Sequence, residues 1–574
     1  MTAIEDGTAG DAISYEAIPK NDITTTQSMT TTTNSEANKQ KLGERMALFS
    51  NKVRKHGSLS SSSVRFPRIE MKDLDGSDEG KQEQQEQKKE SYQKDEQSSS
   101  VSHKEIISVD EAIEKIGTGP FQFMVLIAAG LCFSADSMEI MLLSFLSIIL
   151  REQWDLSSTE TASITACVFA GALVGTLVLG PLGDRIGRRP VLLISCFFIS
   201  FFGITTAFSQ SFVVLLINRF WVGFGVGGLT VPFDILAELL PTSARGKNLA
   251  EIEFFWTAGS MAVPLAAYMT IGSGGSWQVF VLLCTIPCLA SALISLFYVP
   301  ESPRWLISCG RDEEAMEVLK AAAKMNGKDP GVLFPKGTIL EDETEERSRF
   351  FDLFKPKWRN LTLNLWGVWA GFAIGYYGTV IVVTQVFDEV SDKQLPDTAE
   401  DHVNFDYSAI FVSSCSEIVG TVLMIFLVDR IGRVPLQILS FVMGGICLIA
   451  LCFFASSENR SLVVFIAFVA RVFEMAGSST AFIAAAEVLS TEIRTTGHSA
   501  ANAVARVGGF ISPYLVGGGL SLRAVGLIML LIHALTAICA SRLPETKGVS
   551  LDHRDGVDSE PSTADESGGL MEIM

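Results

Sequence analysis

Asp136 and Glu139 stand three residues apart in the apolar run 121–149, and Arg219 interrupts the run 212–239. A charge inside a bilayer is costly, so each one kept there is a candidate for function. The three-residue spacing puts the two acids on one face of a helix. If that helix leaves the membrane at about 149, Asp136 lies about 20 Å and Glu139 about 15 Å below its end. Arg219 sits about 12 Å from the same side on its own helix. A carboxylate beside arginine stays ionised until the pair is broken, and an isolated buried one prefers to take a proton. Proton coupling requires that behaviour, so Asp136, Glu139 and Arg219 form the expected proton-coupling set. Two acids then share one base, leaving one carboxylate without a full partner; the competing reading is a permanent ion pair joining two helices.

The second half of the chain supplies Arg471 and Glu474, again three apart, with Glu417, Arg506 and His533. Arg471 offers a planar fork matched to a carboxylate solute; against this, Glu474 neutralises it locally. Arg506 and His533 read as structural polar contacts. Solute sites of this kind combine aromatic walls with a few polar groups. Trp256, Tyr376 and Tyr377 lie deep in their runs and join Gln385 and Arg471 as the expected substrate-binding set, whereas Trp366 reads as an interfacial anchor.

Something must hold these residues in a membrane. The chain has 574 residues, 45 basic and 64 acidic, for a net charge of −19. Mean hydropathy is +0.32, and 19% of residues are charged against roughly 25% in ordinary globular chains. The apolar stretch from 121 to 543 divides into twelve runs, each long enough for a spanning helix. A soluble enzyme, a secreted module and a nucleic-acid binder are excluded on these grounds. Nine of the ten cysteines fall in apolar runs without metal spacing, so no metal or cofactor is expected.

The halves repeat. GDRIGRRP and VDRIGRVP place Asp184 and Asp429 245 residues apart, AELLPTSARG and AEVLSTEIRT place Glu238 and Glu487 249 apart, and PESP and PETK begin 244 apart. A parallel duplication of six helices implies two bundles with a site between them at the midplane. The expected fold is therefore an all-α membrane protein of 12 transmembrane helices in two six-helix bundles. Its parts are a disordered tail at 1–115, bundles at 116–299 and 361–543, a linker at 300–360 whose EEAMEVLKAAAKM forms a short amphipathic helix, and a tail at 544–574. Arginine and lysine crowd one set of short loops, which the positive-inside rule assigns to the cytosol together with both termini.

GPLGDRIGRRP resembles the loop 2–3 signature of the major facilitator superfamily, RFWVGFGVGG its fourth-helix RxxxGxG pattern, and PESPRWL and PETKG the sugar-porter marks that close each half. ADSMEIMLLSF, FFWTAGS, GYYGTVIVVTQ and RTTG resemble the branch of synaptic vesicle glycoprotein 2-like and nicotinate-type organic-acid transporters. The resemblance implies charge networks between the bundles that gate the cycle. Asp184, Arg185, Arg188 and Arg189 match the signature, and Asp429, Arg430 and Arg433 match its echo. Glu238 with Arg245, Glu487 with Arg494, and Glu301 with Arg304 join the same ring. Sugar porters carry a glutamine pair on the seventh helix where this chain reads GFAIGYYG, and a further glutamine on the fifth where it has Glu251 and Trp256. Hexoses are demoted for that reason.

The expected function is a secondary active transporter of a small organic acid, moved with protons by a monomer in the plasma membrane or an organelle membrane. Its partners are solute, protons and lipid, with no nucleic acid. The alternatives are a polyol, sugar or organic-cation carrier, and a sensor or trafficking protein that keeps the fold without turnover. Charge signatures in both halves favour transport, since a sensor need not retain two gates. GFGVGG at 223–228 lies inside a membrane helix, where glycines serve close packing and not nucleotide binding.

Overall fold

A computed structural model describes residues 106–242, 251–341, 349–392, 405–490 and 493–547. The first half contains α2 (Pro120–Gln153), α3 (Ser158–Ile186), α4 (Arg188–Thr206), α5 (Phe212–Val226), α6 (Thr230–Leu239), α7 (Ile252–Thr270), α8 (Trp277–Cys284) and α9 (Ile286–Tyr298). The second half contains α13 (Pro356–Asp392), α14 (Tyr407–Ile431), α15 (Arg433–Phe454), α16 (Arg460–Val488), α17 (Arg494–Gly517) and α18 (Leu522–Ser541). With α5 and α6 forming one crossing, and α8 and α9 another, ten crossings among the described residues are long and apolar enough to span a membrane. Two further helices, α7 and α17, fall short of that apolarity; they pack along the seams between the halves against the more apolar α14 and α3.

The packing repeats as the sequence does. α2 lies on α7 as α13 lies on α17, α3 on α5 as α14 on α16, and α4 on α9 as α15 on α18. The halves meet along two matching seams, α3 against α17 and α7 against α14.

Glycine sets the closest approach. A Cβ on Gly171 would lie 2.0 Å from the Phe220 carbonyl oxygen, and one on Gly223 would lie 1.9 Å from that of Val168. α3 and α5 therefore touch backbone to backbone, which small residues permit in a membrane where apolar burial gives helices no preference for one another. Arg219 stands one turn before Gly223, so this contact fixes its depth and direction. Gly223→Ala is expected to force the helices apart at a cost of about 3 kcal/mol; size-exclusion chromatography in detergent would then show a reduced, broadened monomer peak.

Gly187 (φ 109°) and Gly432 (φ 102°) end α3 and α14 in the left-handed region, which residues with a Cβ rarely adopt. The same step of the DRIGR sequence thus turns the chain into α4 and α15. Glu301 and Glu545 close these corners. Glu301 Oε1 accepts from the Arg188 N–H at 2.8 Å, and Glu545 accepts from those of Arg433 at 3.0 Å and Val434 at 2.9 Å. A carboxylate at a helix N-terminus satisfies free N–H groups and meets the positive end of the dipole. Burial acts against the Glu545 carboxylate, but the four N–H groups around it hold it below the usual carboxylate range.

Two expectations change at the first bundle's edge. Residues 106–115, read as the end of a disordered tail, form β1 (Ile106–Ser108) and most of α1 (Val109–Ile116). β1 pairs in parallel with β2 (Ile339–Glu341). Ile107, Val109, Ala112, Ile113 and Ile116 are buried, an apolar face that the polar residues before it obscured. The linker holds α10 (Pro303–Ser308), α11 (Asp312–Met325) and α12 (Pro330–Leu333) before β2. The second bundle's first helix starts at Pro356 instead of 361. The rest of the N-terminal tail and the segment after 547 lie outside the described residues.

Candidate functional site

α2 presents its two acids to different neighbours. Glu139 pairs with Arg219 on α5 at 2.5 Å, and Thr206 accepts from Arg219 Nε at 3.2 Å. Asp136 faces the other bundle, 3.7 Å from Arg506 on α17. The expected sharing of Arg219 between Asp136 and Glu139 does not occur. Three residues advance a helix by about 300°, leaving the side chains about 60° apart, enough to direct one into its own bundle and the other across the seam.

The same offset separates Arg471 from Glu474 on α16. Arg471 pairs with Glu417 of α14 at 2.5 Å, not with Glu474, which contacts His533 of α18. Local neutralisation of Arg471 by Glu474 is thereby replaced by a network that crosses the seam. Arg471 also donates to Ser260 of α7 at 2.9 Å, and Ser260 donates to Glu417 at 3.2 Å. Tyr376 of α13 donates to Glu417 at 2.8 Å, and Trp256 of α7 donates to the Tyr376 hydroxyl at 2.7 Å. Trp256, Tyr376 and Arg471 thus come together through Glu417 and Ser260.

Tyr377 packs on Phe169 at 4.6 Å between ring centroids and on Tyr376 at 5.7 Å. Gln385 sits elsewhere. It lines a cavity of about 580 Å³ with Ser144, Ser147, Thr161 and Thr165, towards the face opposite the signature arginines. Near that face the halves also join through Thr384 donating to Ser144 at 2.9 Å and through Ser163 with Tyr514 at 3.1 Å. Tyr268 and Tyr407 add a ring contact at 5.9 Å.

Arg506, read from the sequence as a structural polar contact, lies against Asp136 of the other half. It is buried, and its Nε and Nη1 have no hydrogen-bond partner among the described residues. Glu417 Oε2 and Arg471 Nε are in the same condition. An unsatisfied buried donor on a charged group costs more than a neutral one, and Arg219 Nη2 and Glu474 Oε2 are also without a hydrogen-bond partner among the described residues. The only signal in the sequence was a charge in the least apolar run of the second half.

The signature residues form the same triad twice. Arg188 pairs with Asp184 at 2.5 Å and Glu238 at 3.6 Å; Arg433 pairs with Asp429 at 2.9 Å and Glu487 at 2.8 Å. These pairs lie inside their own bundles, with Glu238 and Glu487 meeting Arg188 and Arg433. Arg304 pairs with Asp110 at 2.5 Å, and Arg189 donates to the Leu296 carbonyl at 2.7 Å. The Arg430 carbonyl accepts from Lys547 at 2.5 Å, and Arg494 donates to that of Leu489 at 3.3 Å. Arg185 is exposed. Arg245 lies outside the described residues.

A family model described as sugar (and other) transporter matches residues 80–557. The rat synaptic vesicle 2-related protein is 32% identical over 78% of this chain and 83% of its own length. Organic cation/carnitine transporter 7 of Arabidopsis thaliana is 30% identical over 80% of this chain and 98% of its own. The inward-open xylose transporter XylE of E. coli, in its partially occluded form, aligns with a TM-score of 0.57 over 75% of this chain and 99% of that one. At 18% identity that likeness is one of fold. The chain is a multi-pass membrane protein and belongs to the sugar (and other) transporter family of the major facilitator superfamily.

Proposed function

We propose that the protein is a proton-coupled carrier of a small organic acid, working by alternating access between its two bundles. The observation that carries this reading is Arg506. It reaches across the seam to Asp136 at 3.7 Å, longer than a good charged hydrogen bond, and two of its donor groups have no partner among the described residues. Protonation of Asp136 would release the guanidinium, whose fork suits a carboxylate. Proton and anion would then enter together, and departure of the anion would restore the Asp136–Arg506 pair. Trp256, Tyr376 and Tyr377 would form the wall, with Arg471 held in reserve by Glu417.

A second reading has its own support. Glu417 keeps an unpaired carboxylate oxygen beside the Trp256–Tyr376 wall, an arrangement that suits an organic cation, the solute class named for the Arabidopsis relative. Proteoliposome uptake of labelled nicotinate, choline and a polyol, with and without an inward proton gradient, separates the two. Gradient-driven nicotinate uptake is expected; choline uptake that ignores the gradient and excludes nicotinate would overturn the organic-acid reading.

The excess of loop arginines supports a cytosolic position for the signature face, the linker and both termini. Asp184, Arg188 and Glu238, with Asp429, Arg433 and Glu487, would gate that face. Asp184→Asn or Arg188→Gln is expected to slow the return step several-fold, as befits a half-buried pair worth on the order of 1 kcal/mol. Cysteine-accessibility labelling would show excess inward-facing protein; normal labelling with normal transport would reduce these residues to topology signals.

A further inference from the structure

The core of the second bundle holds an ionisable pair for which the transport scheme has no use. His533 and Glu474 are both about 2% exposed. His533 Nδ1 lies 2.6 Å from the Met529 carbonyl oxygen. A carbonyl only accepts, so Nδ1 carries a hydrogen. Nε2 contacts Glu474 Oε1, and a bare ring nitrogen cannot share a hydrogen bond with a bare carboxylate. A second proton must therefore lie between them, whichever partner holds it formally. The pair as folded contains two protons and is electrically neutral.

The surroundings are built around that pair. A Cβ on Gly375 of α13 would lie 3.0 Å from His533 Nε2 and 3.2 Å from Glu474 Oε2. On α15, a Cβ on Gly444 would lie 2.9 Å from Glu474 Oε1, and one on Gly445 would lie 2.8 Å from His533 Cβ. Glycines on two helices thus leave room for the carboxyl and the ring. The nearby titratable groups are few. Arg471, one turn away on α16, is engaged by Glu417; Tyr376 of α13 is turned to the same acid; Cys447 of α15 is within electrostatic reach of Glu474. Glu474 Oε2 has no hydrogen-bond partner among the described residues.

We propose that Glu474 and His533 form a proton-binding site in the second bundle, separate from Asp136. When the shared proton leaves, a carboxylate and a ring lone pair oppose each other in a low-dielectric core, and the two must move apart. Movement there presses on Gly375, whose neighbour Tyr376 belongs to the cross-seam network, so proton occupancy reaches the solute wall through α13. The site does not depend on which solute is carried.

Thermal unfolding of the purified full-length chain in detergent tests this between about pH 6 and pH 8.5. An unfolded histidine loses its proton near pH 6.5. A site that holds its shared proton through this range makes the native state the stronger proton binder, so stability falls as pH rises. The parent Tm is expected to decline by several degrees across this range. H533Q, in which an amide N–H permanently supplies the bond to Glu474, is expected to flatten the decline, and E474Q gives the same comparison should H533Q not fold. D136N is expected to retain it. A parent Tm that does not fall, variant curves parallel to the parent, or a decline abolished by D136N alone would overturn the assignment.

Discussion

Replacing Arg506 with glutamine is expected to lower affinity for a carboxylate solute by about 100-fold. A bidentate pair supplies two charge-assisted hydrogen bonds worth together roughly 3 kcal/mol, and each 1.4 kcal/mol is a factor of ten. Lysine keeps the charge and loses the fork, so Arg506→Lys is expected to cost about tenfold. Arg506→Gln also leaves Asp136 without its cation at 3.7 Å, and should weaken the dependence of binding on pH along with affinity. Equilibrium binding of labelled nicotinate to purified protein at several pH values reads both effects. Arg506→Gln binding nicotinate as the parent does would remove the residue from the site.

Breaking the Glu139–Arg219 pair is expected to act on stability more than on binding. Arg219 is fully buried and Glu139 nearly so, and removing one partner of such a pair strands a charge at a cost of about 3–5 kcal/mol. Glu139→Gln or Arg219→Gln alone should lower the yield of folded protein and its Tm markedly, whereas the double variant recovers much of the loss. Thermal unfolding of the four proteins as a double-mutant cycle checks this. Equal and additive losses would mean that the pair contributes no coupling.

The sequence carried much of this arrangement because its repeats have direct physical counterparts. DRIGR gives both halves a left-handed glycine, an arginine triad and a following helix, and the glutamate of PES or PET caps that helix. The glycines of GFGVGG were legible as packing residues because a phosphate loop has no place inside an apolar run. Pairing of the buried charges was not legible. Asp136 and Glu139, like Arg471 and Glu474, are close along one helix, yet the roll of that helix in its bundle decides which neighbour each meets. Arg506 and Glu417 had no visible partner in sequence because their partners lie on other helices, Asp136 in the opposite half and Arg471 54 residues away. Gln385 was grouped with Tyr376, although nine residues carry it about 13 Å further along the helix, into the separate opening. The strand and helix at 106–116 were passed over because the composition of the tail outweighed a short apolar pattern inside it.

Accumulation of labelled nicotinate in proteoliposomes tests the coupling between Asp136 and Arg506 most directly. With about pH 6 outside and about pH 8 inside, coupling to one proton permits up to about 100-fold accumulation. The parent is expected to concentrate solute many-fold above equilibrium and to lose that ability when the gradient is collapsed. Asp136→Asn, which cannot take up or release a proton at this position, is expected to retain exchange of internal for external solute and to accumulate none. Accumulation by Asp136→Asn equal to the parent, under the same gradient, would contradict proton coupling through this pair.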